Sequence, residues 1–145
     1  MLHQKKIRIM VFGTFDILHE GHLNFFKQAR ALSKAPFLIV SLARDVNVKK
    51  IKGKRPVHSE KHRLRYVKKS NLVNKAVLGG LKKYLSHIII EKPDIIALGY
   101  DQKAYVDNLN EQLASKGWKG RIVRLKPFKS HIYKSSLIKR PEISQ

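Results

Sequence analysis

A ten-residue stretch near the start of the sequence combines residue types that suit phosphate binding. Beginning at Gly13, it reads Gly-Thr-Phe-Asp-Ile-Leu-His-Glu-Gly-His. Gly13 lets the backbone approach a ligand closely, Thr14 supplies a hydroxyl, and free N–H groups around Gly21 can face an anion at a helix start. His19 and His22 stand three residues apart and can donate hydrogen bonds towards one point.

These histidines admit two other interpretations. They are a possible metal pair, but zinc needs a third ligand at a suitable spacing and the chain contains no Cys. They are also compatible with ordinary surface histidines at a helix start. A second pair, His58 and His62, stands four residues apart, but it lacks the His-Glu-x-x-His order, so we expect no metal site there.

The elements around the stretch place it on a turn from a strand into a helix. An apolar-rich run at residues 7–12 precedes it and a helical spacing of apolar residues follows. Along the rest of the chain the pattern predicts strands at 35–43, 75–78, 95–98 and 121–125, and helices at 21–33, 58–67, 81–91, 104–116 and 137–140. This alternation predicts one α/β domain over residues 1–145, a Rossmann-like three-layer α/β/α fold with a five-stranded parallel sheet.

The charge of the chain is strongly positive and uneven. There are 31 Lys and Arg against 10 Asp and Glu, a net charge of +21. Residues 44–83 hold 14 basic and 2 acidic residues, residues 116–140 hold 9 basic and none acidic, and all other positions hold 8 of each. Such a field attracts polyanions, either a nucleoside triphosphate or a nucleic acid.

The run at residues 44–56 contains too few apolar residues for a core element. We therefore predict a basic loop that leaves the carboxyl end of the second strand and folds over phosphates bound at residues 13–22. The alternative is a solvated loop that happens to be basic. A further anion site is predicted where Lys134 lies beside Ser135 and Ser136 at the start of the last helix.

The cellular compartment is predicted from features that the sequence does not contain. No apolar run reaches membrane-spanning length, and no apolar signal-peptide core precedes the first strand. The absence of Cys is compatible with a reducing compartment and excludes thiol catalysis. We expect a cytoplasmic protein that does not bind membranes.

The full string Gly-Thr-Phe-Asp followed by His-x-Gly-His resembles the signature of the cytidylyltransferase-like nucleotidyltransferases. These enzymes join a nucleoside monophosphate to a phosphorylated acceptor and release pyrophosphate. The resemblance covers nearly the whole chain and implies a homodimer. It also implies that Arg63, in a Ser-x-x-His-Arg run, lies near the acceptor.

Within that family the variable turns resemble those of the small archaeal FAD synthases, which transfer AMP from ATP to FMN. The similar stretches are Leu-Gly-x-Asp-Gln at 98–102, the Lys-Lys-x-Lys-Gly-x-x-Pro loop and Arg-Leu-Lys-Pro-Phe-Lys at 124–129. Glycerol-phosphate cytidylyltransferases usually carry Arg-Thr-x-Gly-Ile-Ser-Thr-Thr before the last helix. Here only the hydroxyl pair Ser135 and Ser136 remains. We predict ATP and FMN as substrates, with CTP and a phosphorylated alcohol or sugar as the second choice.

The resemblance and the residue chemistry together give a set of predicted site residues. The predicted catalytic residues are His19, His22 and Lys134. The predicted nucleotide-binding residues are Gly13, Thr14, Phe15, His19, Gly21, His22, Gly99, Asp101, Lys129, Ser135 and Ser136. The predicted phosphate or acceptor residues are Lys49, Lys52, Lys54, Arg55 and Arg63. A divalent metal, Mg²⁺, is expected with the triphosphate, and no protein side chain is assigned to it.

The remaining predictions concern two aspartates and two other classes of function. Asp101 contacts the ribose or base of the nucleotide, or only forms its turn, and Asp16 is given no role. A basic nucleic-acid-binding module without catalysis is the alternative favoured by charge, although no recognition pattern for a specific nucleic acid stands out. A domain that binds nucleotide without turnover is the third class.

Overall fold

The computed structural model describes residues 5–102 and 108–128, and they form a parallel sheet of five strands. The strands are β1 (Ile7–Gly13), β2 (Pro36–Leu42), β3 (Lys75–Leu78), β4 (Ile95–Leu98) and β5 (Arg121–Arg124). Their spatial order is β3-β2-β1-β4-β5, and every neighbouring pair is parallel. The predicted fold class is confirmed. The order reverses between β1 and β4, so a crevice opens there at the carboxyl ends of the strands.

Helices cover both faces of this sheet because side chains alternate along each strand. The helices are α1 (Glu20–Arg30), α2 (Asp45–Lys52), α3 (Glu60–Lys68), α4 (Tyr84–Glu91) and α5 (Leu109–Ser115). On one face, buried residues of α1 and α3 join one core cluster with alternate residues of β1 and β2. On the other face, buried residues of α4 and α5 pack against Met10, Ile39 and Ile96 in a second cluster. The three-layer arrangement follows from these two cores.

The segment predicted to be a basic loop contains a helix, and this prediction was wrong. Helix α2 runs from Asp45 to Lys52 and buries only Val48, which explains why its apolar pattern is weak. It ends at Gly53, whose φ of +84° lies in the left-handed region that glycine adopts most readily. The glycine after the last basic turn is a helix stop signal that the sequence did contain.

The other predicted elements differ from the structure mainly at their ends. Helix α4 begins at Tyr84, three residues later than the apolar spacing suggested, and α1 ends at Arg30. Helix α5 covers Leu109–Ser115 of the predicted 104–116, and the predicted helix at 137–140 lies outside the described residues. Within residues 5–102 and 108–128, no helix is long and apolar enough to cross a membrane.

Candidate active site

The turn after β1 is built around a buried aromatic ring. Phe15 has a φ of +52°, is only 4% exposed and packs edge-on against His22 with ring centroids 5.2 Å apart. A Cβ placed on Gly13 would lie 2.6 Å from Phe15 Cζ, so only glycine allows this ring to fold back beneath the turn. The Phe15 ring therefore packs against His22, and the strained backbone at Phe15 is part of the site.

His19 is the N-cap of α1. Its backbone is extended, and its Nδ1 accepts a hydrogen bond of 3.0 Å from the N–H of Gly21. A ring nitrogen that accepts carries no proton, so the neutral ring holds its proton on Nε2. Nε2 is buried and has no hydrogen-bond partner in the part of the chain that the structure describes. The cap therefore fixes an N–H donor that is left available for a ligand.

His22 stacks on His19, with ring centroids 4.0 Å apart. Burial lowers its pKa to about 4, and the neighbouring His19 adds to this effect, although a backbone hydrogen bond with Ile17 opposes it. Burial also lowers the pKa of His19, so both rings are neutral near pH 7. His22 Nδ1 is a second buried nitrogen without a partner among the described residues. Two such nitrogens side by side indicate a site that a polar ligand completes.

A cavity of about 920 Å³ opens over these rings at the carboxyl edge of the sheet. This volume is near the upper end of the roughly 300–1,000 Å³ range of small-molecule sites. The predicted residues that line it are Gly13, Thr14, Phe15, His19, Gly21, His22, Lys52, Gly99 and Asp101. The structure thus brings together two strand-end turns, at residues 13–22 and 99–102, at one edge of the sheet.

Several predicted phosphate residues do not line the cavity. Lys49, Lys54 and Arg55 are exposed on or after α2, whereas Lys50 and Lys52 of the same segment do line it. Only one side of α2 faces the cavity, so Lys50 and Lys52 line the cavity and Lys49 does not. The remaining predicted residues, Lys129, Lys134, Ser135 and Ser136, lie outside the described residues.

Arg63 was predicted near the acceptor, and the structure corrects this. Its side chain is fully buried and does not line the cavity. The guanidinium donates to the backbone oxygen of Thr14 at 2.8 Å and to that of His58 at 3.1 Å, and it pairs with Asp45 Oδ1 at 2.7 Å. A buried charge needs such partners. Arg63 therefore holds the phosphate turn to α2 and α3 from behind the site.

The starts of α2 and α3 are joined by a reciprocal pair of hydrogen bonds. The Asp45 N–H donates to Glu60 Oε1 at 2.8 Å, and the Glu60 N–H donates to Asp45 Oδ2 at 3.1 Å. Burial alone would raise the pKa of the Asp45 carboxyl, but the hydrogen bonds and charge of Arg63 and the Glu60 N–H hold it below its usual value. The carboxylates of Asp45 and Glu60 also interact favourably with the positive N-terminal ends of the α2 and α3 dipoles.

Asp16, to which the sequence assigned no role, fastens the segment before α3. Its two carboxylate oxygens accept hydrogen bonds from the N–H of Val57 at 2.7 Å and of His58 at 2.8 Å. The backbone donors of an irregular segment are satisfied in this way. Asp16 therefore stabilises the backbone around the site and does not itself line the cavity.

The turn after β4 is fixed by two residues that sequence reasoning missed. Gln102 accepts from the N–H of Gly99 at 2.7 Å and donates to the oxygen of Phe12 at 2.8 Å, which ties the turn to β1. Arg124 donates to the oxygen of Gly99 at 2.8 Å. Asp101 is left exposed at the cavity wall. The Leu-Gly-x-Asp-Gln string was the available signal, but it did not separate the structural Gln from the exposed Asp.

A second missed pair lies at the other end of the cavity. Ser41 Oγ of β2 is 2.9 Å from Nε2 of His87 on α4, and both residues line the cavity. Burial lowers the pKa of His87, with Lys75 adding to the effect and Glu91 opposing it. A serine inside an apolar strand and a histidine on an apolar helix look like incidental polar residues in sequence, and only the packing of α4 on β2 brings them together.

The charges around the cavity are mostly positive. Of the described residues that line it, Arg44, Lys50, Lys52, Lys82 and Lys126 are basic, and Asp101 alone is a carboxylate. Among the described residues there is no group of three or more His, Asp or Glu that could hold a metal ion. The cavity therefore suits an anionic ligand with several negative charges.

Comparisons with known proteins agree with this geometry. The family model described as cytidylyltransferase-like matches residues 10–141. An FAD synthase from Methanosarcina barkeri is 46% identical over 118 residues, covering 81% of this chain and 82% of the relative. An FAD synthase from Thermococcus sibiricus is 38% identical over 147 residues, covering 100% of this chain and 95% of the relative.

A solved structure from Thermoplasma volcanium, described as a lipopolysaccharide core biosynthesis protein, is 36% identical, has a TM-score of 0.77 and covers 85% of this chain and 98% of its own. The names of these similar proteins thus differ in function, while the shared fold and the family model agree. The predicted family is confirmed. The chain belongs to the cytidylyltransferase-like family and is a nucleotidyltransferase.

Proposed function

We propose that the chain transfers AMP from ATP to FMN and releases pyrophosphate, with FAD as the product. The observation that carries the proposal is the stacked pair of neutral imidazoles, each with a buried nitrogen that lacks a partner among the described residues. The pair lies beneath a basic cavity of nucleotide size. The relatives named FAD synthase support ATP and FMN as the two substrates.

The reaction needs positioning more than acid–base chemistry. A phosphate oxygen of FMN forms a bond to the α-phosphorus of ATP while the bond to the β-phosphate oxygen breaks and pyrophosphate leaves. The attacking phosphate is already an anion near neutral pH, because its second pKa is about 6. No general base is therefore required, and catalysis consists of alignment and charge stabilisation.

The histidines supply that charge stabilisation. The Nε2–H of His19 is fixed by the cap to Gly21 and donates to a phosphate oxygen on which charge develops. His22 stacks against this ring, and its Nδ1 donates to the same phosphate in the tautomer that carries the ring proton on Nδ1. Because neither nitrogen has a partner among the described residues, binding of the phosphate breaks no hydrogen bond between these atoms and those residues.

The leaving pyrophosphate is held by basic residues of α2. Lys50 and Lys52 of α2 line the cavity and carry charges that oppose those of the leaving group. The contribution of Lys134 with Ser135 and Ser136 stays a prediction. So do the homodimer and the cytoplasmic location.

A divalent metal fits this chemistry as part of the nucleotide. The described residues offer Asp101 at the cavity wall but no cluster of three ligands, and Mg²⁺ commonly binds substrate phosphates with only one or two carboxylates. Mg²⁺ carried by the triphosphate would neutralise charge between its phosphates. The protein's own part is to position the complex against His19 and His22.

The nucleotide base is proposed to lie against the turn at residues 99–102. Gln102 and Arg124 hold this turn rigidly, and Asp101 faces the cavity, where its carboxylate can accept hydrogen bonds from ribose hydroxyls. A pocket shaped for adenine rejects cytosine through unfilled space and unpaired polar edges. CTP with a phosphorylated alcohol is the competing substrate pair.

The test is a pyrophosphate-release assay with ATP or CTP against FMN, glycerol 3-phosphate and phosphoethanolamine, with Mg²⁺ present. We expect release with ATP and FMN, and FAD as the product by chromatography. The control is the His19→Ala variant purified in the same way, which excludes a contaminating activity. Release with CTP and glycerol 3-phosphate, but not with ATP and FMN, would overturn the proposal.

A further inference from the structure

The cavity has a second end that the phosphate chemistry does not use. It lies beyond the carboxyl ends of β2 and β3, and we call it the β2–β3 end, formed by Ser41, Asn47, Gly79, Tyr84 and His87. Strand β3 is two strands away from β1 in the sheet order. With neighbouring strands about 4.8 Å apart, the β2–β3 end extends from about 5 Å from β1, where Ser41 pairs with Phe12, to about 10 Å at β3.

Ser41 and His87 form a side-chain pair at this end of the cavity. Ser41 is only 3% exposed, and its hydroxyl would be costly in the strand if it had no partner. His87 Nε2, at 2.9 Å, satisfies it and is thereby engaged. Nδ1 of the same ring makes no hydrogen bond to the residues that the structure describes, and the ring is half-buried at the cavity wall. The ring therefore presents one polar atom to an occupant.

The backbone above the pair is held in place and kept free of side chains. A Cβ on Gly79 would lie 3.2 Å from the oxygen of Leu42, which is a tight contact, and 3.4 Å from Ser41 Oγ, so a larger residue would crowd the Leu42 backbone beside the pair. The amide of Asn47 donates to the oxygens of Gly80 at 3.3 Å and Leu81 at 3.2 Å, which fixes this segment against α2. The space over Ser41 and His87 is thus preserved by the surrounding backbone.

The walls around the pair are partly apolar, beside the basic side chains of Lys82 and of Arg44, which donates to the Gly79 oxygen at 3.3 Å. Val48 of α2, Leu81 and Ile88 of α4 line this end of the cavity. A site with apolar walls and few polar groups selects ligands that are flat or bulky, apolar on their faces and polar at one edge. The phosphate turn lies at the other end. An occupant therefore needs both a ring system and a phosphate on a linker that spans about 5 to 10 Å.

We infer that the β2–β3 end binds the heteroaromatic ring of the acceptor, with His87 hydrogen-bonded to a polar edge of the ring and Ser41 orienting His87. This rests on the proposed function, under which the ring is the isoalloxazine of FMN. FMN carries its ring and its phosphate at opposite ends of a flexible chain. The arrangement assigns acceptor specificity to Ser41 and His87, away from the residues that contact the reacting phosphates.

The test measures FMN binding without nucleotide, by titration of flavin fluorescence. We expect His87→Ala to weaken FMN binding by about 5- to 10-fold, as for the loss of one hydrogen bond. Ser41→Ala should weaken it less, because the His87 ring remains. The control is His62→Ala, which removes a histidine that does not line the cavity and should bind FMN like the wild type. ATP binding by calorimetry should be the same in all four proteins.

Inhibition by glycerol 3-phosphate, which has a phosphate but no ring, separates ring contacts from a general disturbance of the site. His87→Ala should leave this inhibition unchanged. FMN binding of wild-type strength in both His87→Ala and Ser41→Ala would overturn the inference while leaving FAD synthesis intact. Absence of both FMN binding and FAD formation in the wild-type protein would instead overturn the proposed function, and the inference with it.

Discussion

His19 has two roles that substitution can separate. Its Nδ1 caps α1 through the Gly21 N–H, and its Nε2 is the donor proposed to contact the reacting phosphate. His19→Asn retains a side chain that is among the best N-caps but is too short to place a donor where Nε2 lies. His19→Ala removes both the cap and the donor.

The two variants should differ in stability and agree in turnover. Loss of one preorganised donor to a developing oxyanion costs about 10²- to 10³-fold in kcat, and we expect this loss in both variants. Loss of the cap costs about 1 kcal/mol, so His19→Ala should be less stable than His19→Asn by about that amount. Both variants lose the stacking on His22 equally, so this contact cancels in the comparison.

The assay pairs steady-state pyrophosphate release with urea unfolding of the same preparations. A kcat in His19→Asn close to that of the wild type would refute the role of Nε2 as a donor to the transition state. Equal stability of the two variants would refute the capping role, whatever the kinetics. Wild-type protein at the same concentration serves as the reference for both measurements.

Two further predictions follow from the same cavity. Replacing Lys50 and Lys52 together by Gln should raise the KM for ATP by about 5- to 10-fold and make this KM less dependent on salt. Replacing Lys49 and Lys54, which do not line the cavity, should change the KM little. Equal effects of the two pairs would contradict the assignment. The pKa of His22 is lowered to about 4 in the folded protein, so the unfolded chain binds more protons between pH 4 and pH 6.5. The free energy of unfolding should therefore fall by about 2 kcal/mol from pH 7 to pH 5, and His22→Asn should show a smaller fall in urea unfolding.

Much of the fold and part of the site could be predicted from local patterns. Continuous apolar runs predict buried parallel strands, and the motif beginning at Gly13 follows one of them directly. Because all strands are parallel, their carboxyl ends meet at one edge, and this alone places Gly99 and Asp101 opposite His19. The expectation that two distant turns share one cavity needed no more than strand order and direction.

The rest depended on contacts that local sequence does not encode. Helix α2 buries one residue and is fixed by Glu60, which is 15 positions from Asp45, so periodicity could not identify it. The resemblance of the Ser-x-x-His-Arg run to the family placed Arg63 near the acceptor, whereas its side chain is fully buried and donates to the backbone oxygen of Thr14.

The contacts that shape the phosphate turn have a consequence for the order in which the chain folds. Asp16 bonds to residues 41 and 42 positions later, and Thr14 is held by a guanidinium 49 positions later. Synthesis proceeds from the N-terminus, so β1 and its turn emerge well before the residues that fasten them. The turn can acquire its binding geometry only after α3 has been made and has docked. During translation, a ligand that binds this turn can therefore stabilise the nascent chain only from that point onward.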